Sequence, residues 1–126
     1  MTTDVLEVIN TAMTEMEIPY EFEVFTGEIQ YPYFTGEYQE AVPESENGMQ
    51  EAVFILNGFT RGSPMALETA KEAIEEKFDR TGGYIVTTEN RNVVAVFYDN
   101  AFVIPQDDAD LKRIQINLTV KEWKVD

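Results

Sequence analysis

Apolar positions recur three and four residues apart near the start of the chain, at Val5, Ile9, Ala12, Met13 and Met16. That spacing puts them on one face of a helix running roughly from Asp4 to Met16. Asp4 followed by Glu7 has capping-box spacing, and Pro19 closes the element. The period then changes to two. Tyr20-Glu21-Phe22-Glu23-Val24 alternates apolar and polar, which predicts a half-buried strand with Glu21 and Glu23 turned to solvent. Thr26-Gly27 and Thr35-Gly36 read as punctuation. Between them Ile29 to Phe34 contains Pro32, which cannot donate to a ladder, so that piece reads as an edge strand, a bulged strand or an extended loop. Pro43 to Gly48 is a polar, charged loop.

Ala52-Val53-Phe54-Ile55-Leu56 is the most continuous apolar run and continues through Gly58 to Thr60. It reads as a central strand covered on both faces. Gly58 inside it marks a bulge or a close backbone approach. Ser63-Pro64 supplies an N-cap and a proline in the first helical turn. The stripe Leu67, Ala70, Ile74 and Phe78 then predicts a second helix over Pro64 to Phe78, with Gly82-Gly83 providing its left-handed stop. Tyr84–Thr88 and Val93–Tyr98 flank Asn90-Arg91-Asn92 as a hairpin. Ala101–Ile104 is a shorter apolar piece broken by Pro105, and Gln106–Asp110 is polar. The last strand is the cleanest: Ile114, Ile116, Leu118 and Val120 point one way and Arg113, Gln115, Asn117, Thr119 and Lys121 the other, until Trp123 breaks the alternation. The order helix, β block, helix, β block predicts an α+β fold in which two helices pack on a mainly antiparallel β-sheet.

At 126 residues the chain fits one domain over residues 1–126, and 44% hydrophobic content with fifteen aromatics suffices for a core. The start Met1-Thr2-Thr3-Asp4 lacks the basic and apolar regions of a signal peptide, and no apolar run is long enough to span a membrane. A cytoplasmic site of synthesis is expected. The chain holds no cysteine and no histidine. Thiol and imidazole nucleophiles, disulfides, and the usual zinc and haem ligands are therefore excluded. An enzyme would have to work with carboxylates, Lys, Tyr or Ser alone, so no catalytic residue, metal ligand or cofactor is assigned.

Charge sharpens the picture. The net charge is −15, and the first basic residue in the chain is Arg61. Residues 1–60 carry twelve acids and no base, whereas residues 61–126 carry twelve acids and nine bases. Such a field repels phosphate backbones and anionic membranes, so neither nucleic-acid binding nor membrane binding is expected. Two sharper uses of it are a surface that nucleic acid passes without adhering, or one that mimics nucleic acid. Asp107-Asp108-Ala109-Asp110 lacks the frame of a calcium loop. Gly58-Phe59-Thr60-Arg61-Gly62-Ser63 lacks the ending of a phosphate loop and reads as a turn plus an N-cap. Tyr31, Tyr33, Phe34 and Tyr38 form an aromatic stretch with no cation beside it, which suits sheet packing or a protein interface better than base stacking.

Tyr31-Pro32-Tyr33-Phe34-Thr35-Gly36-Glu37-Tyr38, the polar loop, and Gln50 to Arg61 form one part of a larger pattern. With the helix carrying Leu67, Ala70 and Ile74 and the closing strand Ile114 to Val120, this layout resembles the tail completion or tail terminator proteins of long-tailed bacteriophages and prophages. The resemblance covers most of the chain, in layout, without an invariant signature. It implies a small α+β virion protein, made in the bacterial host cytoplasm and built into the tail. There it would cap the head-proximal end of the tail tube as a ring, usually a hexamer. Its partners would be further copies of itself, the tube protein and a head-side connector. In such a ring Glu21, Glu23, Glu28, Glu37 and Glu40 would line an acidic lumen past which DNA slides. The alternatives are an acidic DNA-mimic inhibitor of a DNA-binding enzyme and a carboxylate-based enzyme.

Overall fold

The computed structural model describes residues 1–40 and 48–124; the polar loop expected from Pro43 onward lies, except for Gly48, outside the described residues. The elements follow in the order α1 (Thr3–Glu15), β1 (Tyr20–Phe22), β2 (Tyr33–Glu40), β3 (Met49–Thr60), α2 (Pro64–Lys77), β4 (Tyr84–Thr87), β5 (Val93–Ile104) and β6 (Lys112–Trp123). The strands form a six-stranded sheet in the order β1-β2-β3-β6-β5-β4. All neighbours are antiparallel except β1 and β2, which are parallel. The α+β architecture expected from the pattern is the one observed.

Both helices pack on the same face of the sheet. Val5, Ile9, Ala12 and Met13 of α1 join Leu67, Ala70 and Ile74 of α2, with Phe78, in one buried cluster. Phe54 and Leu56 of β3, Val94, Val96 and Tyr98 of β5, and Ile114, Ile116, Leu118 and Val120 of β6 form its floor. The alternation of β6 decides which face that is, since its four apolar residues are each at most 1% exposed. Lys77 joins the helix ends, its Nζ 2.7 Å from Glu15 Oε1.

Several local expectations are corrected. Thr2, not Asp4, is the N-cap of α1, its side chain accepting from the Asp4 amide. This frees the Asp4 carboxylate to accept from Thr88 Oγ1, Asn90 Nδ2 and Asn92 Nδ2 at 2.8, 3.0 and 2.9 Å. It thereby ties the first turn of α1 to the β4–β5 turn. Ser63 does cap α2, accepting from Met65 N at 3.1 Å. That helix ends at Phe78, five residues before Gly83, so the glycine pair does not stop it. Gly83 (φ +73) lies instead under the Phe97 ring.

The strand expected over Tyr20–Val24 ends at Phe22, because Glu23 takes φ +66 and the Val24 amide bonds back to Phe22 O. Thr35-Gly36 is not a break but the middle of β2. A side chain on Gly36 would strike Tyr20 Oη and the Phe54 ring, so glycine lets β1 and β2 close over the core. Gly58 marks a close approach: it pairs with Phe34, whose ring occupies the space a Cβ would need. Among the described residues β3 is covered by a layer on one face only, with Ala52, Phe54 and Leu56 buried and Val53 37% exposed. Ala101–Ile104 is no separate piece. It continues β5 past a register shift between Tyr98 and Asn100. Finally, β6 keeps its alternation through its end, with Glu122 buried in a core-facing position and Trp123 on the other face. Glu122 is satisfied there by the amide and hydroxyl of Thr2.

Candidate assembly surface

Because α1 and α2 share one face, the other face of the sheet has no second layer among the described residues. Odd-numbered residues of β2, β3 and β6 point to it. Its middle is a ladder of polar side chains. Arg113 Nη2 donates to Asn57 Oδ1 at 2.8 Å, Gln115 Nε2 to Asn117 Oδ1 at 3.0 Å, and Asn117 Nδ2 to Asn100 Oδ1 at 2.8 Å. Thr119 Oγ1 donates to Asp99, the extra residue of the β5 irregularity. These bonds hold the ladder in place without a covering layer, while Arg113 Nε is buried with no hydrogen-bond partner among the described residues.

One end of this face is aromatic. Tyr33 sits 4.9 Å from Phe25, 5.9 Å from Tyr31 and 5.3 Å from Phe59 between ring centroids. The Arg113 guanidinium lies 5.8 Å from the Phe59 ring. Burial, with Tyr31 next to it, pushes the Tyr33 phenol above its usual range. Arg61 reaches the cluster through Tyr31 and forms an ion pair of 2.8 Å with Asp108.

The four aromatics named from the sequence therefore separate. Tyr31 and Tyr33 lie together on the open face. Tyr38 lies on the helix-bearing face, stacked at 6.1 Å on Phe22 and 40% exposed. Phe34 leaves the set of surface aromatics altogether: it is fully buried against Gly58 and belongs to the core. Phe25, Phe59, Asn57 and Arg113 were missed. The outward positions of Asn57, Phe59 and Arg113 are readable from alternation, but their meeting depends on the β3–β6 register, which pairs Phe59 with Arg113.

The five acids do not form one cluster. Glu21 turns its carboxylate onto Thr26 Oγ1 and the amides of Thr26 and Gly27, which hold it below the usual carboxylate range. Glu23, Glu28 and Glu37 are exposed, with no ion-pair partner among the described residues. Glu40 points to the helix-bearing side, where the Met1 amine at 2.8 Å lowers its pKa. Glu21 and Glu37 share the open face, and Glu23 and Glu28 belong to the loop after β1.

Concave sites are modest. A cavity of about 20 Å³ beside Met1, Glu40, Gln50 and Glu122 has room for about one water. An open groove of about 300 Å³ runs between α1 and β4, past Glu7, Thr11, Tyr84 and Glu89. No group of three or more potential ligands able to hold a metal ion occurs among the described residues. No described helix is long and apolar enough to cross a membrane.

Helices on one side and a polar and aromatic sheet face on the other define an α+β protein whose notable feature is a surface. No family model and no curated protein matches the chain. Among solved structures it is similar to a chain from the virion of a native gene transfer agent particle. That match has TM-score 0.62 and 12% identity, over 94% of this chain and 89% of that one. A second solved chain, for which no function is stated, matches with TM-score 0.67 and 14% identity over 100% of this chain and 99% of that one. At such identities the likeness is one of fold.

Proposed function

We propose that this chain is a structural protein of a phage-like particle, and that within such a particle it completes the tail. Copies of it, six by the family resemblance, form a ring on the head-proximal end of the tail tube. The ring ends tube growth and presents a surface to a head-side connector. The observation that carries this reading is the likeness to a virion chain along nearly the whole length of both chains. The non-enzymatic role agrees with a chain that lacks histidine and cysteine.

In this reading the acid-rich first half supplies the lumen. Glu23, Glu28 and Glu37 are the acids best placed for it, being exposed and unpaired among the described residues. Glu21 and Glu40 contribute charge but are held by a turn and by the Met1 amine. A wall of one negative sign repels DNA phosphates at short range and speeds release.

The test is molar mass across concentration by light scattering after gel filtration, with negative-stain imaging, in the absence and presence of isolated tail tubes. A six-membered ring, free or seated on tube ends, is the expected result. A strict monomer or dimer that ignores tube ends overturns the reading. Tight binding of such a monomer to a basic DNA-binding enzyme would replace it with the DNA-mimic alternative.

A further inference from the structure

Among the described residues, both edges of the sheet are only partly covered. On one side β1 shields β2 over Phe34, Thr35 and Gly36, leaving the edge of Glu37–Glu40 open. On the other, β4 shields β5 over Val93–Val96, leaving the edge of Ala101–Ile104 open. Open strand edges are templates for strand addition. We infer that these two edges join neighbouring copies of the chain, the β2 edge of one copy adding antiparallel to the β5 edge of the next. The inference rests on the ring reading above and supplies its joint.

Four observations select a second copy as the occupant. First, direction: β2, β3, β6 and β5 are successively antiparallel, so a copy placed beside β5 in the same sense presents β2 antiparallel to it. Second, fit. If the next copy is displaced by four residues along the strands, β1 passes beyond the end of β5 at Ile104 and β4 passes beyond Glu40. Neither short strand then overlaps the paired residues Glu37–Glu40 and Ala101–Ile104. Third, register. The four-residue displacement sets Glu37 opposite Ile104, Tyr38 opposite Val103, Gln39 opposite Phe102 and Glu40 opposite Ala101. An even displacement keeps every side chain on its own face.

The exposed apolar residues then find partners. Tyr38 is 40% exposed and Val103 71%, and they become an aromatic–β-branched cross-strand pair; Phe102, 50% exposed, lies over Gln39. Fourth, backbone polarity agrees. The Phe34 amide and the Gly36 carbonyl bond outward to Pro19 and Glu23, so the groups of Tyr38 and Glu40 also turn outward. The Tyr98 amide bonds outward to Phe78, and Tyr98, Ala101 and Val103 face the alternate β6 residues Leu118, Ile116 and Ile114. Ala101 and Val103 therefore turn outward as well, and the facing pairs are the hydrogen-bonding ones. A displacement of about 13 Å per copy, at ~3.3 Å per residue, is the stagger that tilted strands need in a closed assembly. The contact is heterologous, which is the kind that closes a ring.

The chain has no cysteine, so an engineered pair reports the joint directly. Gln39→Cys with Phe102→Cys sits at a predicted non-hydrogen-bonded pair, where Cα atoms approach to about 4.5 Å. Within one copy β2 and β5 are three strand spacings apart, about 14 Å, too far for a disulfide. Mild oxidation should give a covalent ladder ending at the ring mass, whereas Gln39→Cys with Ile85→Cys should not. Val103→Pro removes an amide that turns outward from β6 and has no partner among the described residues. It should leave the urea midpoint near that of the parent and abolish assembly. Rings that fail to cross-link above the control pair, or that survive Val103→Pro, overturn this joint and leave the ring standing. Absence of any oligomer, even on tube ends, removes the ring and the joint with it.

Discussion

Replacing Gly58 with alanine tests how β2 and β3 are held over the core. A Cβ on Gly58 would stand 2.4 Å from Cε2 and 2.5 Å from Cζ of Phe34. The Phe34 ring is fully buried and is fixed opposite Gly58 by the strand register, so it cannot swing away. Forcing a methyl into a filled core costs about 1–3 kcal/mol. The loss of glycine's backbone freedom in the unfolded chain returns about 0.5–1 kcal/mol. With contacts this short the upper half of the first range applies, and a net loss of about 2 kcal/mol is expected. In urea titrations this lowers the midpoint by about 1 M, and in thermal unfolding it lowers Tm by roughly 8 °C. The cycle with Phe34→Leu makes the cause specific. Phe34→Leu alone should cost about 1–3 kcal/mol through the space it leaves. The double variant should cost at least about 1 kcal/mol less than the two added together, because the new methyl enters that space. A Gly58→Ala unfolding free energy within about 0.5 kcal/mol of the parent, or two costs that simply add, would refute the argument that Phe34 packs on a glycine-shaped seat.

Further outcomes follow from other parts of the chain. Hydrogen bonds from Thr88 first, with those from Asn90 and Asn92, hold the Asp4 carboxyl below its usual range against the opposing effect of burial. The stability it contributes is thus fully present above the ordinary aspartate pKa of about 3.9 and is lost as pH falls through the lowered folded value. Asp4→Asn should cost about 1–3 kcal/mol at pH 7 and flatten the profile between pH 5 and 2, read from urea midpoints across that range. Thr2→Ala removes both the α1 cap and the hydroxyl that satisfies buried Glu122, and should cost about 1–3 kcal/mol by the same titration. Replacing Glu23 and Glu28 together by glutamine should leave the unfolding free energy within about 0.5 kcal/mol of the parent and leave rings intact. It should slow genome passage in particles, and normal ejection by such particles would remove the lumen role from these acids.

Much of the fold is legible in the residues themselves. The stripes of α1 and α2, the Ser63-Pro64 start and the alternation of β6 are local properties, set by side-chain spacing along three or four turns or one pleat. They need no knowledge of what lies opposite. The surplus of acids in the first half and the absence of histidine and cysteine are likewise complete in the sequence, and they limit the chemistry open to the chain.

What tertiary structure alone decided is pairing and side. Thr35-Gly36 reads as a turn until Tyr20 and Phe54 are brought against it; then glycine is what a strand needs at that point. The run at Ala52–Leu56 reads as covered twice, but both helices settle on one face and leave Val53 half-exposed. Tyr31, Tyr33, Phe34 and Tyr38 sit close in sequence, yet the pleat and the loop before it send them to an open face, a core and an opposite face. Asp4 looks like a cap and becomes a clasp on a turn more than eighty residues away. Register and layer order arise from contacts between distant segments, and spacing along a single strand carries no record of its neighbour.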